Sequence, residues 1–253
     1  MLGAPTPTRR TRRKKFSVIG LIGELLITAG VLVFLFLGWQ LWLNDIIVGG
    51  QQDKASTDLA KSWVATQPSP PIASSAPPDA PDYGNPVVPA VQANAKPFAV
   101  MYVPRFGSDY VRTIAEGVGA ADVLDKGIVG HYPKSQMPGD IGNFAVAAHR
   151  TTHGAPFHLI ATLRVGDKIY IQTADGYITY DFRGLEYVRP TAISVIDPVP
   201  QNPNVKPTDR IMTLTSCNPM FSASERIIGY AVFDSWQPTS AGPPAAIAAA
   251  VKG

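Results

Sequence analysis

The chain carries one cysteine, Cys217, four histidines, His131, His149, His153 and His158, and an arginine, Arg226, nine positions after the cysteine. A cysteine acts as a nucleophile through its thiolate, and histidine is the usual partner that stabilises that charge or carries the proton. A guanidinium brought beside the thiol offers a planar fork of donors for a developing oxyanion or a peptide carbonyl. Each residue also has a plainer reading. A free cysteine is commonly a small buried hydrophobe. Arg226 could make a weak surface pair with Glu225 or Asp209. His153 and His158 lie in a stretch with Gly154 and Pro156 and read as loop hydrogen-bonders. A zinc site built from His149, His153, His158 and Cys217 lacks the glutamate of the helical zinc-protease motif, and Gly154 and Pro156 oppose a helix there. No metal and no cofactor are therefore expected. With one cysteine, an intrachain disulfide and a cysteine-rich zinc site are both excluded.

These residues need elements to hold them. The run 210–216 is rich in β-formers, and Asn218-Pro219 ends it, so Cys217 falls at a strand end, rigid on one side and open on the other. The apolar run 143–148 ends at His149 in the same way, which places the ring at a rim. Arg226 opens a last strand over 227–233, and a turn between the two final strands returns it to the cysteine. Further strands are expected over 98–103, 111–114, 168–173 and 177–182, the last two joined by Ala174-Asp175-Gly176, a strong hairpin signal. Short helices are expected over 120–126, closed by Gly127, and over 157–163. Many short strands with one or two brief helices predict a mainly β domain, a closed or nearly closed β-barrel.

The globular domain is expected over 96–236. Upstream, residues 1–15 form a basic tail and 16–43 are almost continuously apolar, long enough to cross about 30 Å of hydrocarbon. The run exceeds a signal peptide's core and has no small-residue cleavage site directly after it, so a retained transmembrane anchor is expected. The basic flank predicts a cytoplasmic N-terminus with the remainder outside the cell membrane, and Trp39 and Trp42 sit where an aromatic belt would lie. Residues 44–95, with clustered prolines, read as an extended extracytoplasmic linker, with a short helix possible over 53–65. Residues 237–253 read as a Pro/Ala-rich frayed tail. Six of the 22 basic residues lie in the tail before the apolar run; the other 16 face 19 acidic residues, so a nucleic-acid surface is not supported.

Thr213-Leu214-Thr215-Ser216-Cys217 resembles the sortase signature Thr-Leu-x-Thr-Cys. His149 and Arg226 match that family's histidine and its arginine on the strand after the cysteine, and the anchor agrees. The stretch from Gly142 to Gly154 and Cys217-Asn218-Pro219 look most like class E, the housekeeping sortases of high-GC Gram-positive bacteria. The resemblance implies an eight-stranded sortase-type β-barrel and a transpeptidase, with hydrolysis as a side reaction. It implies that Cys217 attacks the Thr carbonyl of a Leu-Pro-x-Thr-Gly or Leu-Ala-x-Thr-Gly sorting signal on a surface protein. His149 would protonate the leaving amine, and Arg226 would hold the oxyanion. The thioester would pass to an amine of a peptidoglycan precursor in the cell wall. Ser216 replaces the signature's second threonine, and it is expected to alter substrate packing there. Two other readings stand beside this one. An L,D-transpeptidase-like wall enzyme would carry Ser-His-Gly-Cys, which this chain lacks. A non-catalytic, membrane-tethered β-domain that binds wall components would bury Cys217.

Overall fold

The computed structural model describes residues 17–39, 43–65 and 83–252. The expected basic tail, Trp42 and most of the proline cluster lie outside them. The chain divides into two compact units, 1–40 and 41–253. The first holds α1, Val18–Gly38, whose start is capped by the Ser17 hydroxyl accepting from the Gly20 amide. None of its side chains is buried and its mean hydropathy is 2.5. Twenty-one residues at about 1.5 Å each match the thickness of a bilayer core, so α1 has the character of a membrane anchor. It is shorter than the apolar run 16–43, and a second helix begins at Asn44.

The second unit is built on eight strands: β1 Pro97–Tyr102, β2 Val111–Glu116, β3 Val129–His131, β4 Gly142–Ala147, β5 Lys168–Gln172, β6 Gly176–Val188, β7 Arg210–Asn218 and β8 Glu225–Pro238. They close in the order β1-β2-β3-β4-β7-β8-β6-β5, with β1 pairing β5. The β2–β3 and β4–β7 pairs are parallel and all others antiparallel. The closed eight-stranded barrel is as expected. β3 was not foreseen: three residues are too few to show an alternation. The expected helices over 120–126 and 157–163 are 3-10 turns, Leu124–Lys126 and Ile160–Thr162.

Alternate residues of each strand fill the barrel. Phe144, Val146, Met212, Leu214, Phe182 and Ile227 are among the fully buried set. At the inner wall His131 Nδ1 meets Glu116 Oε2 at 2.7 Å, with Ser135 Oγ 2.9 Å from the other ring nitrogen.

Two expectations about the flanks are corrected. Within the stretch read as linker, residues Asn44–Ala65 form α2, a 22-residue helix packed on β2. Its Ser56 hydroxyl lies 2.8 Å from that of Thr113, Asp53 pairs with Arg112, and the Ala60 carbonyl accepts from Gln172 at 3.2 Å. Burial lowers the Arg112 guanidinium to about 10, which leaves it charged at neutral pH. The C-terminal stretch is folded as well. β8 runs to Pro238, and a last short helix, α3, spans Ala248–Lys252. Ile247 and Val251 are buried in a second apolar cluster with Ala60, Val100, Tyr102 and Tyr177. Proline and alanine alone suggested fraying because the two branched side chains that anchor the tail are isolated in sequence. Replacing Ile247 by Ala should cost about 2–4 kcal/mol of stability, read by chemical denaturation of the full-length protein in detergent micelles; a change within 0.5 kcal/mol would mean the tail contributes nothing.

Candidate active site

Strands β7 and β8 pair Cys217 directly with Arg226. Opposed residues in an antiparallel pair bring their Cβ atoms within about 5.5 Å. On the other side, β4 runs parallel to β7, with Ala147 beside Thr215. The Ala148 amide then donates to the Thr215 carbonyl at 3.2 Å, and the Ser216 hydroxyl donates to the Ala148 carbonyl at 2.7 Å. Continued by two residues, this pairing sets His149 level with Cys217. Met212 and Leu214 point into the core, so Cys217, one residue from Ser216 and three from Leu214, faces the outer side of the barrel. It is half-buried. Three adjacent strands thus bring His149, Cys217 and Arg226 to one end of the sheet.

Ser216, expected to touch substrate, is instead buried and tied by its hydroxyl to the strand carrying His149. Arg226 donates to the backbone carbonyls of Ala223 and Glu225. The Glu225 carboxylate, its plainer partner, accepts from Asn218 at 2.8 Å. A small cavity of about 80 Å³ runs from Arg226 and Thr215 along Ile228 to Tyr132, roofed by Pro190 and Ile193. Its floor is stiff: Thr215 Oγ1 donates to the Val146 carbonyl at 3.2 Å and lies 3.0 Å from the Tyr132 hydroxyl.

Several residues at the site were not foreseen. Asp125 Oδ1 lies 2.8 Å from His149 Nε2. The His149 and His153 rings stack with centroids 4.7 Å apart. Arg150 is buried, reaches the Cys217 carbonyl at 3.5 Å and hydrogen-bonds the Asn218 side chain, so it holds the turn after the cysteine. His158 bonds the Arg150 carbonyl through Nδ1, and His131 stays with Glu116 in the barrel wall. The four-ligand zinc set does not assemble. Asp125 is 24 residues before His149, and only the turn closed by Gly127 hinted that it is held in place.

The loop after His149 is unusual. Thr152, His153, Gly154 and Ala155 have φ of 63, 53, 75 and 40°, four left-handed residues in succession. Each non-glycine member costs on the order of 1–2 kcal/mol, so surrounding contacts must impose the shape. One is the buried Phe157, whose amide donates back to the His149 carbonyl at 2.9 Å. The other is α2. Both oxygens of the Asp45 carboxylate are engaged, accepting from Thr152 N at 3.1 Å and Gly154 N at 3.0 Å. One helical step further, a Cβ on Gly154 would lie 3.1 Å from the Gly49 nitrogen, and one on Gly127 would lie 3.0 Å from the Val48 side chain. Gln52 donates to the Lys126 carbonyl at 2.6 Å. α2 therefore grips both the loop after His149 and the turn after Asp125.

Residues 101–234 match the family model for the sortase domain. The chain belongs to the sortase family of cysteine transpeptidases. Within that family it is class E-like: it is 35% identical to Sortase SrtE1 of Streptomyces coelicolor over 232 residues, covering 89% of this chain and 60% of that protein. The chain thus spans about three-fifths of that relative's length. Among solved structures, SrtA sortase from Actinomyces oris matches with a TM-score of 0.62 and 36% identity, over 65% of this chain and 94% of that one. Sortase E1 from Streptomyces coelicolor, crystallised with a tripeptide in the active site, matches with a TM-score of 0.57 and 40% identity, over 62% and 99%.

Loss of the Asp45 carboxylate should loosen the loop after His149 more than it weakens the barrel. For Asp45→Ala in the full-length protein we expect kcat to fall about tenfold, equivalent to ~1.4 kcal/mol, with KM for peptide little changed and partial rescue by Asp45→Glu. Steady-state transpeptidation kinetics check this, and an unchanged kcat would mean the loop holds its shape without α2.

Proposed function

We propose that this protein is a membrane-anchored transpeptidase that cleaves a sorting signal between Thr and Gly and transfers the upstream chain to a cell-wall amine. The observation that carries the reading is the register of β4, β7 and β8, which sets His149, Cys217 and Arg226 side by side. The Cys217 thiolate attacks the Thr carbonyl carbon, and the carbonyl electron pair moves to oxygen. Arg226 turns from its backbone partners to donate to that oxyanion, where a fixed charged donor is most effective. Collapse breaks the C–N bond, and the leaving glycine amine takes its proton from the His149 imidazolium. The acceptor amine then attacks the thioester and returns a proton to His149 as the thiolate departs, so proton and electron pairs balance over the cycle. Water in place of the amine gives the hydrolytic side reaction.

Asp125 gives His149 a defined role. Its carboxylate bonds Nε2, which fixes the ring and leaves Nδ1 as the nitrogen for proton transfer. The narrow cavity beside Arg226 and Thr215, about 80 Å³, has room for one small or β-branched side chain, in keeping with the Thr or the Ala/Pro of a Leu-Ala-x-Thr-Gly or Leu-Pro-x-Thr-Gly substrate. The tripeptide in the active site of Sortase E1 supports a peptide occupant. The basic segment before α1 supports a cytoplasmic N-terminus and an extracellular catalytic domain. The acceptor would be the cross-bridge amine of a peptidoglycan precursor.

The full-length protein in detergent micelles, incubated with both peptides and a glycine amine, should yield a ligated product lacking the terminal glycine, read by mass spectrometry. Cys217→Ala should abolish it. Arg226→Lys should lower kcat/KM by about 100-fold or more, because an ammonium cannot reproduce the fork of donors. Full activity in Arg226→Lys would remove the oxyanion role, and absence of a thioester with either peptide would remove the proposed reaction.

A further inference from the structure

Asp125, His149 and His153 converge at the site, and the thioester chemistry uses only part of that convergence. Each of the three offers one ligand atom, and these atoms lie within 4.8 Å of one another. Both rings address the same carboxylate oxygen, His149 at 2.8 Å and His153 at 3.8 Å. The first is a hydrogen bond. The second is too long for one, although His153 is held in a left-handed loop that aims it there. His153 Nδ1 is 3.0 Å from the Thr152 hydroxyl, so its other nitrogen is already braced. An outer partner on the far ring nitrogen is the usual companion of a metal-binding histidine.

We propose that Asp125, His149 and His153 form a site for a divalent transition metal, zinc by preference, and that its occupancy switches the transpeptidase off. Two imidazoles and a carboxylate suit zinc better than calcium or magnesium, which favour oxygen-only sets. Zinc holds such ligands at about 2.0–2.2 Å in a tetrahedron, which sets neighbouring ligand atoms about 3.3 Å apart. The observed 2.8 and 3.8 Å separations bracket that spacing, and with His153 turned off the stacked His149 ring the three ligands fill three positions and leave the fourth open.

Inhibition follows from proton accounting and rests on the catalytic role proposed for His149. The metal takes the Nε2 lone pair and displaces the hydrogen bond to Asp125. His149 then keeps one proton, on Nδ1, as a neutral ligand. It can no longer become the imidazolium that protonates the leaving amine, and the acyl step stops. Removal of zinc restores the Asp125–His149 bond.

The test separates binding from turnover. Binding is measured by calorimetry with zinc chloride on full-length, chelator-treated Cys217→Ala protein in detergent micelles, which removes the competing thiol. One zinc per chain is expected. Adding His153→Ala should weaken affinity at least tenfold, and adding His158→Ala should leave it unchanged. Cobalt in place of zinc should give visible absorption bands of tetrahedral strength that His153→Ala loses. In protein with Cys217 intact, zinc should inhibit transpeptidation reversibly by chelator, and His153→Ala, whatever its basal rate, should need at least tenfold more zinc for half inhibition. No binding, or binding indifferent to His153→Ala and Asp125→Asn, overturns the site. Stoichiometric binding at these residues without inhibition of an active enzyme overturns the switch. Binding at these residues by a protein with no transpeptidase activity upholds the site and removes the reaction proposed above.

Discussion

Two parallel strands emerge from a sheet with their carboxyl ends side by side, and the pairing of β4 with β7 is of this kind. No tight turn can join such strands, so 62 residues separate Ala147 from Arg210 in the chain although the strands touch. The arrangement places His149 and Cys217 at one end without any local motif linking them. The buried Ser216–Ala148 bond and the Thr215–Val146 bond pin the register. A slip of one residue would turn the cysteine into the barrel and bring a serine out. Everything else at the site is arranged around this pair of strand ends.

The second constraint is conformational. Four consecutive left-handed residues after His149 form a shape the chain would not hold alone. α2 holds it through one carboxylate and two close backbone approaches, at Gly127 and Gly154, where any side chain would push the helix away. The barrel is the larger structure, but the orientation of the histidine depends on a helix outside it. Residues 96–236 therefore do not make the complete site, although they contain seven strands and all but the last two residues of β8.

Most strands and the three aligned residues were legible because each strand alternates or ends at a recognisable turn, and because the spacing from Cys217 to Arg226 matches one hairpin. β3 was not, since Val129, Gly130 and His131 show no period. α2 was read largely as linker for a more interesting reason. The positions it presents to the barrel, Asp45, Gly49, Gln52, Ser56 and Ala60, recur at helical spacing but are polar or small. A search for an apolar stripe passes over them. Asp125 was missed for a related cause: a carboxylate in a turn carries no sequence mark of the histidine it faces.

The docking of α2 changes what the proline-rich segment can be. Before the segment, Ala60 is buried against the barrel. After it, Asn85 accepts from Arg210 at 2.9 Å, Pro86 packs at Gly139 and the Ala95 amide donates to Glu116 at 2.8 Å. Both flanks are fastened to the same body. Closing a chain between two fixed points costs only about 0.6 kcal/mol more for each doubling of its length, so a change of length between Ala65 and Tyr83 carries little penalty for the body that holds His149, Cys217 and Arg226.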